Sequence, residues 1–146
     1  MKQSIFYALA FMLTIGTISC SSDDDKGSDS GSIVGKWTYS QEGYILNGTE
    51  ILEAYDHECS TKKDFLEFFN NGTATDNYYY SDCTSDIENF NYQINGNKVI
   101  MSYMGNGETV TEELNILTLN SSMFKVSFTD VFDGVEYTYI SVLTRQ

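Results

Sequence analysis

The sequence predicts an all-β domain, a small antiparallel eight-stranded barrel that follows a signal segment and a flexible tether. Three observations predict it. Turn-forming pairs recur through the chain: Asn47-Gly48, Asn70-Asn71-Gly72, Asn95-Gly96, Gly105-Asn106-Gly107, Asn120-Ser121-Ser122 and Asp133-Gly134. Asn-Gly and Asp-Gly tolerate positive φ and suit tight hairpin turns. Between them lie runs rich in Tyr, Phe, Val, Ile and Thr that alternate with polar residues at period two. No window shows a capped 3.6-residue period, apart from the ambiguous stretch Thr49–Tyr55.

Taken in order, the expected strands are 35–42, 63–69, 73–80, 88–95, 97–104, 108–119, 122–130 and 134–144. The first opens on Gly35-Lys36-Trp37, and the second and third flank Asn70-Asn71-Gly72. Phe90, Tyr92 and Ile94 alternate with Asn89, Asn91 and Gln93 to define the fourth, and Val99, Met101 and Tyr103 mark one face of the fifth. Leu114 and Ile116 belong to the sixth, while Phe124, Val126 and Phe128 alternate with Lys125 and Ser127 in the seventh. Val135, Tyr137, Tyr139, Ser141 and Leu143 share a face of the last. Eight short antiparallel strands imply a closed barrel or a sandwich. Closure removes sheet edges, which this chain, with no Pro, has little other means to protect; the barrel is the expected form.

The N-terminus reads as an address. Lys2 precedes an apolar run from Ile5 to Ile15, so residues 1–19 are expected to be a secretory signal peptide. Thr17-Ile18-Ser19-Cys20 resembles a bacterial lipobox, in which the Cys carries the lipid. Residues 20–32, the lipidated Cys and the acidic, Ser- and Gly-rich stretch after it, cannot pack and read as a tether. The run Asp23-Asp24-Asp25 resembles the export signal of surface-exposed lipoproteins in Bacteroidota-type bacteria. An outer-membrane lipoprotein, facing the periplasm or the cell surface, is therefore expected. Each buried methylene adds about 0.8 kcal/mol of membrane affinity, so a multiply acylated Cys20 would hold without a transmembrane helix.

The formal net charge is −13. Without Lys2, Lys26 and the four Asp of the tether, residues 33–146 keep 17 acids and six bases. That balance excludes a nucleic-acid partner, because phosphate binding needs clustered Lys and Arg. In an oxidising compartment the remaining pair, Cys59 and Cys83, is expected to form a disulfide. Asp56-His57-Glu58-Cys59 supplies metal-ligand residue types, but consecutive residues cannot converge on one ion and the chain has one His, so no metal is expected.

The ordered set Ile33-Val34-Gly35-Lys36-Trp37, Phe65 to Thr73, Tyr92 to Val99 and the closing runs Leu114–Thr118, Met123–Phe128 and Tyr137–Arg145 resembles the lipocalin-like domain of Bacteroidota-type lipoproteins. The resemblance spans residues 33–146 and implies a calycin-type barrel. The chain is shorter than true lipocalins and lacks an obvious C-terminal helix. By the resemblance, Gly35 and Trp37 would sit at the closed base of the barrel, with Arg145 stacked on the indole.

Chemistry is sparse. His57, the sole candidate base for a Ser or Cys nucleophile, lies in an acidic polar segment and reads as an exposed loop residue. No cofactor motif is present, and an enzyme is not expected. Tyr78-Tyr79-Tyr80 must present rings on both faces of one strand, and such rings stack on sugars or protein partners. Two readings stand. The first is a non-catalytic binding module for a small apolar or amphipathic ligand, with Tyr78, Tyr79, Tyr80, Tyr92, Met101, Tyr103 and Phe124 as contact residues. The second is a structural or interaction protein, an accessory or inhibitory surface lipoprotein with a filled barrel and no small-molecule ligand, whose partner would be a surface protein or glycan. If Phe90, Tyr92, Met101, Tyr103, Phe124, Val126 and Phe128 fill the interior, no ligand site remains; a cavity of roughly 300 Å³ would favour the binder.

Overall fold

The computed structural model describes residues 31–105 and 107–146. The signal segment, Cys20 and nearly all of the tether lie outside the described residues. Nine strands follow one another: β1 (Gly35–Leu46), β2 (Thr49–Ala54), β3 (Phe65–Phe68), β4 (Thr73–Tyr79), β5 (Ser85–Asn95), β6 (Lys98–Gly105), β7 (Glu108–Leu119), β8 (Met123–Phe132) and β9 (Val135–Arg145). Every neighbouring pair is antiparallel. Turn chemistry sets the hairpins. Asn47 and Gly48 have φ of 52° and 78°, and Asp133 and Gly134 have 50° and 76°, the paired positive values that a type I′ turn requires.

The sheet closes through β1. One edge of β1 pairs with β9 from Trp37↔Arg145 to Tyr44↔Tyr139. Its other edge pairs with β3 near the base (Gly35↔Phe68 to Thr38↔Phe65) and with β2 further up (Gln41↔Ala54 to Leu46↔Thr49). Nine strands therefore fill eight positions around a closed barrel. The ambiguous stretch Thr49–Tyr55 is the additional strand, and β1 runs four residues beyond its expected end to form a hairpin with it. Bulges at Tyr39/Gln41 and Ile116/Thr118 add the local twist that closure needs.

The base is the packed end. Trp37, Phe68 and Phe124 are fully buried there, with ring centroids 5.6 Å (Trp37–Phe124) and 5.8 Å (Phe68–Phe124) apart. The chain entering β1 crosses beneath the barrel: the Trp37 indole N–H donates to the Ile33 carbonyl at 2.7 Å. The Arg145 guanidinium lies 4.2 Å from the Trp37 ring centroid and donates to the carbonyls of Val34 and Ser32. A cation over a Trp face contributes about 0.5–2 kcal/mol, more as it is desolvated.

The upper half is open. β5 and β6 pair from Asn91↔Ser102 down to Asn95↔Lys98, so Ser85–Phe90 have no partner on β6. β7 and β8 likewise pair no higher than Asn115↔Ser127. The β6–β7 hairpin thus stands away from both neighbours above mid-height. On the opposite wall, Ile140, Val142 and Ser127 alternate with inward residues and point outward, yet they are buried. An ion pair joins Lys125 of β8 to Glu50 of β2, across β9 and β1. Side chains diverge on the convex side of a barrel, so this contact requires the β1–β2 hairpin to fold back over the outer face of β8 and β9. Gly43 permits the bend, since a Cβ there would lie 1.9 Å from the Ile51 carbonyl oxygen.

Candidate functional site

Strand alternation builds the interior site. The inward sets that carry the core residues Ala74, Phe90 and Val126 continue upward as Asp76, Glu88 and Phe128. On β6 the inward set is Val99, Met101 and Tyr103, and on β7 it is Glu112, Leu114 and Ile116. Between base and mouth these side chains leave a cavity of about 180 Å³. Leu66, Phe90, Met101, Leu114, Val126 and Leu143 make its floor, and Tyr39, Asp76, Glu88, Tyr103, Glu112, Phe128 and Ser141 its upper wall. The site is an apolar cup with an acidic, aromatic rim.

The two open seams widen it. A cleft of about 530 Å³ lies between β5 and β6 and shares Glu88, Phe90 and Tyr103 with the cavity. One of about 460 Å³ between β7 and β8 shares Glu112, Leu114 and Phe128. A recess of about 290 Å³ at the mouth is lined by Asp76, Tyr78, Asp86 and Glu88.

Tyrosine hydroxyls orient two of the carboxylates. Tyr39 donates to Asp76 Oδ2 at 2.9 Å and Tyr103 to Glu112 Oε1 at 3.1 Å. Burial pushes the Asp76 carboxyl up to about 6; the Tyr39 hydrogen bond opposes the rise, while Glu88 and Asp64 add to it. Burial, and then the nearby Asp76 charge, raise the Tyr39 phenol well above its ordinary value. The Tyr103 phenol is raised chiefly by its hydrogen bond to Glu112.

A structural pillar supports Tyr39. Its ring stacks on Tyr55 at 5.0 Å, and Tyr55 meets the His57 ring edge-on at 4.8 Å. The Asp64 backbone N–H donates to His57 Nδ1 at 3.0 Å, which places the imidazole proton on Nε2, where it donates to the Tyr39 carbonyl at 3.1 Å. With Nδ1 already accepting, its 3.4 Å approach to Asp64 Oδ2 is a contact rather than a hydrogen bond. Asp64, 1% exposed, accepts from the Tyr79 N–H at 2.7 Å. His57 is therefore a partly buried pin with both nitrogens committed to backbone, not the exposed loop residue its sequence context suggests. A Cys59–Cys83 disulfide, with Cα atoms 5.0 Å apart, ties this segment to the β4–β5 turn. Among the described residues no group of three or more His, Cys, Asp or Glu is arranged to hold a metal ion.

The structure divides the residues singled out from sequence. Met101 and Tyr103 line the cavity. Tyr92 and Phe124 do not: Tyr92 lies below it, its hydroxyl donating to the Phe69 carbonyl at 2.9 Å, and Phe124 is wholly buried in the base. Tyr78 and Tyr80 share one face with rings 5.1 Å apart, Tyr78 donating to Glu58 and Tyr80 reaching Asp86 at 3.5 Å. Tyr79 points the other way, under Lys62 and against Phe65. Gly35, Trp37 and Arg145 meet at the base. Sequence reasoning missed Tyr39, Asp76, Glu88 and Glu112. The available signal was parity, since each acid lies two residues from an inward apolar residue: Ala74, Phe90 and Leu114.

The sequence profile of the lipocalin-like domain family matches residues 33–126. No curated protein matches the chain. Among solved structures, a lipocalin-like protein from Bacteroides uniformis is similar at 15% identity with a TM-score of 0.55, covering 80% of this chain and 100% of that one. An uncharacterized protein from Bacteroides eggerthii is similar at 12% identity and 0.54, covering 79% and 100%. A bovine lipocalin allergen aligns at 14% identity and 0.45, over 78% of this chain and 73% of its own.

Proposed function

The chain belongs to the lipocalin-like domain family, and from that premise we propose that it is a non-catalytic binding module that takes a small apolar or amphipathic ligand into its cup. The observation that carries this reading is the unfilled interior. The enclosed part, about 180 Å³, is smaller than the roughly 300 Å³ of an ordinary ligand pocket. A ligand therefore seats one end on the floor and extends through a seam, where the clefts of about 530 and 460 Å³ continue the cavity. Apolar burial at ~25 cal/mol per Å² gives a ligand hiding about 200 Å² some 5 kcal/mol before association costs, so affinity is micromolar at best.

The test is a titration of the chain from residue 20 onward, carrying Cys20→Ser to keep it free of lipid, with a neutral environment-sensitive fluorophore such as N-phenyl-1-naphthylamine. Saturable enhancement at micromolar concentrations supports the reading. A linear, unsaturable response refutes it and leaves an interaction protein, whose contact surface would include the exposed apolar residues Leu46, Val131 and Val135 at the hairpin tips. The same reading includes a lipid on Cys20 that holds the domain at the outer membrane; its support is the sequence of residues 1–32.

A further inference from the structure

We propose that the cup selects for positive charge: its ligand is a cationic amphiphile, such as an alkyl-chain amine, with the tail on the apolar floor and the ammonium among Asp76, Glu88 and Glu112. The inference deepens the proposed function and rests on it. Two independent observations support it, one marking a place for a ligand and the other setting its charge.

The place is the unfilled cavity above Met101, Leu114 and Leu143. The charge follows from how the chain distributes its own ions. Among the described residues, no Lys, Arg or His side chain lines the cavity, either seam cleft or the mouth recess. Five of the six Lys and Arg of residues 33–146 are engaged elsewhere, Lys98 with Glu113, Lys125 with Glu50, Lys36 over Phe65, Lys62 over Tyr79 and Arg145 over Trp37, and Lys63 lines none of these spaces. None of the three carboxylates of the cup, Asp76, Glu88 and Glu112, has a described cationic partner, and the described pairs, Lys98–Glu113, Lys125–Glu50 and the His57–Asp64 contact, lie outside it.

Tyrosine hydroxyls hold one oxygen of Asp76 and one of Glu112, while Glu88 has no described side-chain partner. A hydroxyl orients a carboxylate without neutralising it, so the negative charge remains for an incoming cation. Charge-assisted hydrogen bonds from an ammonium are about twice as strong as neutral ones. The nearby rings of Tyr39, Tyr103 and Phe128 supply faces for cation–π contact. Burial pushes the Asp76 carboxyl up to about 6, so it is mostly ionised at neutral pH and its charge is available to an ammonium. An anionic ligand of equal length would add a like charge to this wall.

The experiment compares octylammonium, octanol and octanoate as competitors of the neutral fluorophore on the Cys20→Ser chain at pH 7.5. Octylammonium is expected to displace it at concentrations about tenfold below octanol, with octanoate weakest. In a Glu88→Gln, Glu112→Gln variant, which keeps Asp76, the ratio of octylammonium to octanol affinity, read by calorimetry so that it does not depend on the fluorophore, should fall at least threefold. Equal potency in the unmodified protein overturns the inference, as does an amine preference that the double substitution leaves undiminished, because it would then reflect the general acidity of the surface. Calorimetry with octylammonium separates the two claims. Amine binding without fluorophore binding would reject the apolar cup and keep the charge selection, and no binding of either would reject both.

Discussion

Asp76 concentrates the conflict between folding and function in one side chain. It continues the inward face that Ala74 begins, and packing alone would favour an apolar residue there. In the folded protein its carboxyl rises from 3.8 to about 6, so the native chain binds that proton more tightly than the unfolded chain does. The stabilisation is fully present below about pH 4 and is lost as pH rises through 6. Tyr39 of β1, Tyr78 of β4, Asp86 and Glu88 of β5, Tyr103 of β6, Glu112 of β7 and Asp64 before β3 are the titratable groups facing it. Asp76→Asn keeps an acceptor for the Tyr39 hydroxyl and removes the buried charge. It should raise the melting temperature at pH 7.5, by at most about 3 kcal/mol of stability, with the gain vanishing near pH 4. Thermal scans across that range check this; a gain independent of pH would contradict it. At the base, the Gly-x-Trp and the late Arg were legible because the resemblance fixes both positions. Tyr39 and its acid were not, because one acid among the 17 of residues 33–146 gives no sign of pointing inward until the register of β4 fixes its parity with Ala74.

Among the elements, the meander from β3 to β9 was legible because turn signals and period-two runs agree at every hairpin except β4–β5, whose connection at residues 80–84 carries no such signal. β2 was not. Its run Thr-Glu-Ile-Leu-Glu-Ala places Ile51 and Leu52 side by side and has no clean alternation, because it pairs with β1 outside the eight-strand ring and all its residues but Leu52 are exposed. Only the return of the hairpin over Ile140 and Val142, through Gly43, makes sense of that pattern. The segment joining β2 to β3 forms no regular structure and depends on local fastenings: the His57 bonds, the Asp64 carboxylate and the Cys59–Cys83 bridge. The bridge closes a 24-residue separation, worth about 3.5 kcal/mol by chain entropy. Replacing Cys59 and Cys83 with Ser should therefore lower the melting temperature substantially and speed amide exchange in Tyr55–Asp64 ahead of the base strands. Uniform exchange along the chain would show that the bridge stabilises no particular element.

For the whole molecule, closure is complete at one end and partial at the other. The base buries Trp37, Phe68 and Phe124 beneath the Arg145 cap, and stability concentrates there. The mouth keeps two unpaired seams and an acidic lining, so the part that would admit a ligand is the part with fewest ladder hydrogen bonds. A lipid on Cys20 would tether the domain through its base, where the chain enters β1. Palmitate labelling of the expressed protein should disappear in Cys20→Ala, and labelling that persists would remove the anchor from the account. The central claim is that the ligand sits inside the cup. Three methionines follow residue 20: Met101 on the cavity floor, Met104 in the seam between β5 and β6, and Met123 at the outer base. Methyl NMR during titration with the neutral fluorophore reads that position directly. The account predicts a saturable shift of the Met101 methyl with Met123 unmoved; binding that leaves Met101 unchanged would contradict it.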